Sequence, residues 1–191
     1  PVRAGEIRGM LVMAKADVVI HAAPMSANEI PFTAWDYTPE QLIDETAALI
    51  EAAREAGVER ALHLSYALVY TLAHNTTETA GEDAELAQSD DPFLTAALDA
   101  ERMMQDELNA VVLRVGYIYS AYSAAMRSLD ARLKAGTPIP AGSADAANWV
   151  YQGDLLAAVG LALNHSGPAL FNIVDDAPTA PAEFLRYLAT A

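Results

Sequence analysis

Between Asp17 and Leu64 the sequence spells a strand, a capped helix and a second strand, and this succession restricts the fold more than any other stretch. Asp17-Val18-Val19-Ile20-His21 is a β-branched run, apolar without alternation, the pattern of a central parallel strand buried on both faces. Thr38 then opens a helix, with Pro39 in the first turn and Gln41 completing a capping-box pattern. Ile43, Ala47, Ile50 and Ala53 keep helical spacing, and Gly57 suits the C-terminal cap. Arg60 to Leu64 is again apolar. Two parallel strands need a crossover of this length, so the unit predicts a parallel sheet.

The remaining segments extend the pattern. Pro1 to Gly5 reads as the end of a strand with Glu6-Ile7 at its tip, and Arg8 to Ala16 as a short helix. Met25 to Tyr37 is loop, and Thr71 to Asp90 is a polar, acidic loop. Asp91-Pro92 starts a helix to about Leu108, with Phe93, Ala97, Ala100 and Met104 on one face. Ala110 to Val115 is a third buried strand, leading into Gly116-Tyr117-Ile118-Tyr119. Helices over Ser123–Ala135 and Leu155–Leu163 flank the short extended piece Asn148–Tyr151. Ala169 to Val174 is a fourth strand, and a last helix starts near Pro181. There is no repeat or linker, so residues 1–191 read as one doubly wound α/β domain. In such sheets ligands sit beyond the carboxyl ends of the strands, which is where Ser65 and Tyr66 fall.

Composition narrows the partners. A formal net charge of -15 argues against nucleic acid or an anionic membrane, both of which need a positive footprint. No apolar run approaches the roughly 18 residues of a membrane span. With no basic-then-apolar leader, a cytoplasmic location is the default expectation. Cysteine is absent, which removes disulfides and thiolate sites. His21, His63, His74 and His165 show no ligand spacing, so they read as core or surface groups and no metal is expected. His63 and Ser65 are expected on opposite faces of their strand, which disfavours a nucleophile–base pair.

Five segments together resemble the NAD-dependent epimerase/dehydratase family of extended short-chain dehydrogenases/reductases. Ala16-Asp17-Val18-Val19-Ile20-His21-Ala22-Ala23 is similar to its fourth strand with the alanine pair, and Gly57 to Tyr70 to its fifth strand before Val-Tyr. Ala110 to Tyr119 is similar to the sixth strand, with its Leu-Arg. Asn148 to Leu163 resembles a Val-His-Val-Asp-Asp helix start, and Ala169 to Pro178 the late Tyr-Asn-Val-Asp-Asp-Glu-Pro segment. The resemblance implies a Rossmann-like, doubly wound parallel sheet, here N-terminally incomplete, with a small C-terminal substrate-side portion. It implies NAD or NADP as cofactor and a crevice formed by Ala22, Ala23, Leu64, Ser65, Gly116, Tyr117 and Ile118. Glu6 would lie near the usual adenine-contacting aspartate. It also implies a homodimer through the helices Thr38–Ala56 and Pro92–Leu108.

The departures lie at the reacting centre. The family's Gly-x-x-Gly-x-x-Gly turn, which receives the pyrophosphate, has no counterpart among these glycines. Starting within the family's third strand would leave Asp17–His21 as an apolar sheet edge. The family's acid/base tyrosine is followed four residues later by a lysine, because a phenol near pKa 10 needs a nearby positive charge at neutral pH. Lysine occurs only at Lys15 and Lys134, with Leu11 and Asp130 four residues before them, so no Tyr-x-x-x-Lys exists. Alignment through Ala97-Leu98-Asp99-Ala100-Glu101 puts Phe93 at the tyrosine and Ala97 at the lysine. Tyr66 takes the serine/threonine position, with Ser65 one residue early.

The expectation is therefore a family member without standard catalysis that keeps a dinucleotide or small-ligand crevice. Two others stand beside it. One is an active oxidoreductase or sugar-nucleotide epimerase represented without its cofactor half, with Tyr66 and Ser65 as displaced catalytic groups. The other is a non-catalytic sensor or interaction subunit.

Overall fold

The structure, a computed structural model, describes residues 4–22, 38–72, 80–84, 86, 90–139 and 146–190. Ala23 and the loop Met25–Tyr37 lie outside the described residues. The chain begins as helix α1 (Ala4–Ala14), then β1 (Val18–Ala22), α2 (Pro39–Ala56), β2 (Arg60–Tyr66) and a 3-10 turn (Ala67–Leu72). There follow α3 (Pro92–Leu108), β3 (Val111–Val115), β4 (Tyr117–Tyr119), α4 (Ala124–Lys134), β5 (Trp149–Tyr151), α5 (Gln152–Ala162), β6 (Ala169–Ile173) and α6 (Pro181–Thr190).

Local chemistry explains most boundaries. Gln41 donates its backbone N–H to Thr38 Oγ1 at 3.2 Å while Thr38 N–H reaches Gln41 Oε1 at 2.9 Å, which completes the capping box of α2. Gly57 closes that helix in the left-handed region at φ 73°. Asp91 Oδ1 accepts from Phe93 N–H at 2.8 Å to start α3, and Asn109 at φ 50° ends it. Each of the two N-caps, Thr38 and Asp91, contributes about 1 kcal/mol.

Ala4 to Ile7, expected as a strand end, form the first turn of a helix that continues through the one expected from Arg8, while Pro1–Arg3 lie outside the described residues. Ala4 to Ala14 carries helix formers and one β-branched pair, Ile7 and Val12, too few and too far apart for a strand. Leu11 packs into the core beside Ile50 and Ala53, and Arg8 pairs with Glu55 of α2 at 3.0 Å. Glu6 therefore sits on an exposed helix side rather than at a strand tip.

The main sheet is parallel throughout, in the order β1-β2-β3-β6. One face is covered by α2 and α3, through Val19, Ile50, Ala53, Ala61 and Met104. The other is covered by α5, through Leu62, Leu64, Val111, Leu113, Leu155 and Ala162. β1 is not buried on both faces as its composition predicts. It is the outermost of the described strands, and Val18 and Ile20 are 37% and 45% exposed.

Tyr117–Tyr119 leaves this sheet and pairs in parallel with Trp149–Tyr151. The junction is tight: a Cβ on Gly116 would lie 2.6 Å from the Asn148 carbonyl oxygen, so only glycine fits. The pair is held to α6 by Trp149, which stacks on Phe184 at 4.2 Å and donates its indole N–H to Thr179 O at 2.7 Å. No described helix is long and apolar enough to cross a membrane.

Candidate functional site

At the carboxyl end of β2, consecutive residues turn to different surroundings. Tyr66 packs edge-on against Phe93 with ring centroids 5.6 Å apart, and Ala97, one helical turn further along α3, joins the same cluster with Leu42, Val69 and Leu94. The three positions assigned to serine, tyrosine and lysine are thus brought together in space. They meet as packing. Phe93 is 2% and Ala97 1% exposed. Burial raises the Tyr66 phenol well above its ordinary value, opposite to what an acid/base working near neutrality requires.

Ser65 faces the other way. Its hydroxyl is fully buried and donates to Glu101 Oε1 at 2.5 Å. Glu101 is held by Arg114 of β3, whose Nη2 donates to Oε2 at 2.7 Å and whose Nε lies 3.1 Å from Oε1. Arg114 Nη1 donates to the Tyr70 hydroxyl at 2.8 Å, and Tyr70 donates to Asn172 Oδ1 at 2.8 Å. The Asn172 backbone N–H ends the thread on Glu82 Oε1 at 2.8 Å. Sheet register produces this alignment, since Ser65, Arg114 and Asn172 occupy one rung of β2, β3 and β6.

Glu101, Arg114, Tyr70 and Asn172 were not singled out in the sequence. The available signal was a charge inside an apolar pattern. Glu101 follows the inward stripe Phe93–Ala97–Ala100–Met104, and Arg114 interrupts the apolar run of β3. Two such charges are buried at low cost only when paired.

His63 and Ser65 are two residues apart and so share a face of β2, which corrects the expectation that they oppose one another. They still do not pair with each other, because His63 turns to His21 of β1, Nδ1 to Nδ1 at 3.0 Å. Among the described residues no three side chains of His, Asp or Glu converge as a metal site.

The remaining crevice residues are partly placed. Ala22 ends β1 with its side exposed, while Leu64 packs toward α5. Gly116 is fixed by the Asn148 backbone, burial raises the Tyr117 phenol, and Ile118 packs on the α5-side core. Beyond β6 an open groove of about 470 Å³ is lined by Val150, Asp154, Asn172 and the run from Ile173 to Asp176. It is acidic. The Tyr119 phenol is raised by burial, then by its hydrogen bond to Asp175 and the charges of Asp175 and Asp154. Neither Ala97 nor Ser65 fits the hold on a ribose that the resemblance implies: Ala97, aligned with the family's lysine, is buried in the core, and Ser65 is committed to Glu101.

Known proteins share this fold. The chain is 29% identical over 191 residues to a 3-diazoavenalumate denitrifying reductase from a Streptomyces species, covering 92% of this chain and 61% of that protein. The UDP-glucose 4-epimerase of Thermus thermophilus in complex with NAD superposes with a TM-score of 0.78 at 20% identity, over 98% of this chain and 65% of that one. The dTDP-glucose 4,6-dehydratase of Bacillus anthracis in complex with NAD superposes with a TM-score of 0.80 at 17% identity, over 98% and 60%. These likenesses share the fold, and the chain spans about three fifths of the length of such relatives. The model of the NAD dependent epimerase/dehydratase family matches residues 3–173, from α1 to the last residue of β6, and the chain belongs to that family.

Proposed function

We propose that this chain forms the strand-end crevice of a family protein that binds a dinucleotide or another small ligand without the tyrosine–lysine proton relay. The packed cluster of Tyr66, Phe93 and Ala97 carries the reading, because it fills the relay's place with apolar contact and a phenol held protonated by burial. NAD or NADP is the ligand favoured by the family match and by the NAD-bound neighbours. Calorimetric titration of the intact chain with oxidised and reduced forms of both dinucleotides tests this. Saturable micromolar binding supports the crevice; its absence makes the chain an interaction subunit. Turnover lost on Tyr66→Phe would overturn the missing relay.

A second reading, part of an active NAD(P)-dependent reductase, is favoured by the 29% identity to a reductase. Consumption of reduced nicotinamide by the wild type that is lost in Tyr66→Phe would support it.

A homodimer through the outer sides of α2 and α3 belongs to the same proposal. Those sides carry Glu40, Asp44, Glu51 and Asp106, beside Glu107 and Asp99, which pair with Arg54 and Arg102, so they are acidic in balance. Association should therefore strengthen as salt screens the repulsion, which sedimentation velocity at low and high salt reads directly.

A further inference from the structure

We infer that His21 and His63 form a proton-sensitive lock on the outer strand β1, the strand that leads into the crevice. The lock is independent of what the crevice binds. The two residues are directly opposed in the β1–β2 register. Their Nδ1 atoms are 3.0 Å apart while their ring centroids are 4.9 Å apart, so the rings meet edge to edge with the nitrogens facing. His63 is 1% exposed and His21 half-buried.

A contact of this length between two imidazole nitrogens is a hydrogen bond only if one carries the proton and the other offers a lone pair. The neutral pair therefore holds opposite tautomers. One ring is protonated at Nδ1 with a bare Nε2; its partner is protonated at Nε2 and accepts at Nδ1. A first added proton enters at the bare Nε2 and leaves the shared bond in place, now charge-assisted. A second proton must occupy the accepting Nδ1, which sets two N–H groups against each other and ends the bond.

Among the described residues the surroundings offer no free counter-charge. On the shared face α3 contributes Glu101 and β3 contributes Arg114, and these are bonded to each other at 2.7 Å. From α2 the buried groups are Leu42, Thr46, Ile50, Ala52 and Ala53, none of them titratable, while Glu45 is half-buried and Asp44 and Glu51 are exposed. Burial accordingly lowers His21 to about 4, and burial followed by the charge of His21 lowers His63 to about 3. Both lie below the ordinary value of about 6.5, so the unfolded chain binds more protons and folding weakens as pH falls below that value. Between about pH 6 and pH 4 two protons are involved, an expected loss of up to about 100-fold in the folding equilibrium per pH unit. β1 responds first, because it has one strand neighbour among those described and two exposed apolar side chains.

The sign separates this effect from the bulk charge. With 26 acidic and 11 basic side chains, mild acidification relieves repulsion and by itself stabilises the chain. Urea unfolding of wild type and His21→Gln from pH 7.5 to 5 is the test, since glutamine still donates to His63 Nδ1 but does not titrate. The expected result is a steep loss in wild type and a slope shallower by about tenfold per pH unit in the variant, one proton instead of two. Side-chain ¹⁵N spectra of wild type should show opposite neutral tautomers at pH 6, with amide protection of Val18–Ala22 falling ahead of Val111–Val115. Identical slopes, matching tautomers, or imidazoles already charged at pH 6 would overturn the lock. The spectra decide the matter even if the variant fails to fold.

Discussion

Two regions meet α3 within one turn of each other, and they close their interiors in opposite ways. The cluster of Tyr66, Phe93 and Ala97 is closed by apolar contact. The thread from Ser65 through Glu101, Arg114 and Tyr70 to Asn172 is closed by hydrogen bonds. An uncharged acid/base group can be replaced by a ring of similar shape and the gap repacks. A buried ion pair cannot lose one member without stranding the other. The polar thread can thus change only as a unit, whereas the apolar cluster tolerates replacement one position at a time.

The largest disturbance of this contrast is to put charge into the apolar region. Ala97→Lys should cost about 5 kcal/mol, since a lysine this buried ionises several units below its ordinary value. Thermal and urea melts would show it, and a near-normal stability would mean the relay site is open to solvent. Removing charge from the polar region comes next. Arg114→Met should cost about 3–5 kcal/mol by leaving Glu101 unpaired, and Glu101→Leu added to it should restore most of that loss. A double-mutant cycle without such recovery would show that the thread is not a unit.

Ser65→Ala removes a single hydrogen bond to a carboxylate, an expected loss of about 1.5–3 kcal/mol by urea melts. A finer test uses the phenol. Tyr66 is raised in the fold, so the folded chain holds its proton above the unfolded value near 10, and stability should fall as pH rises beyond it. Ultraviolet titration of wild type against Tyr66→Phe should lose a phenol that ionises only with unfolding; one ionising in the intact fold would show the cluster admits water.

Much of this was legible in the sequence where the cause is local. Thr38, Gln41, Gly57 and Asp91 fix helix ends through contacts a few residues away, and short apolar runs marked every strand of the parallel sheet. The inward face of α3 was readable as well, including Phe93 and Ala97. What failed depended on partners far along the chain. The helix expected from Arg8 is present as the body of α1, but its first turn, Ala4 to Ile7, reads in sequence as a strand end. His21 and His63 are 42 positions apart, and only the register of two strands reveals them as a pair. Arg114 and Glu101 likewise needed the rung that carries Ser65 and Asn172.

The pairing of β3 with β6 has a kinetic meaning. β1, α2 and β2 complete a crossover within one stretch of chain, but Val111 meets Ala169 only after α4, β5 and α5 have been threaded between them. Chain-closure entropy makes that long-range contact the slower to form. The acidic groove and the Asn172 end of the polar thread both depend on β6, so they should be the last parts of the molecule to assemble. In pulse-labelled refolding, amides of β2 should gain protection before those of β6; the reverse order would place the folding nucleus in the C-terminal half.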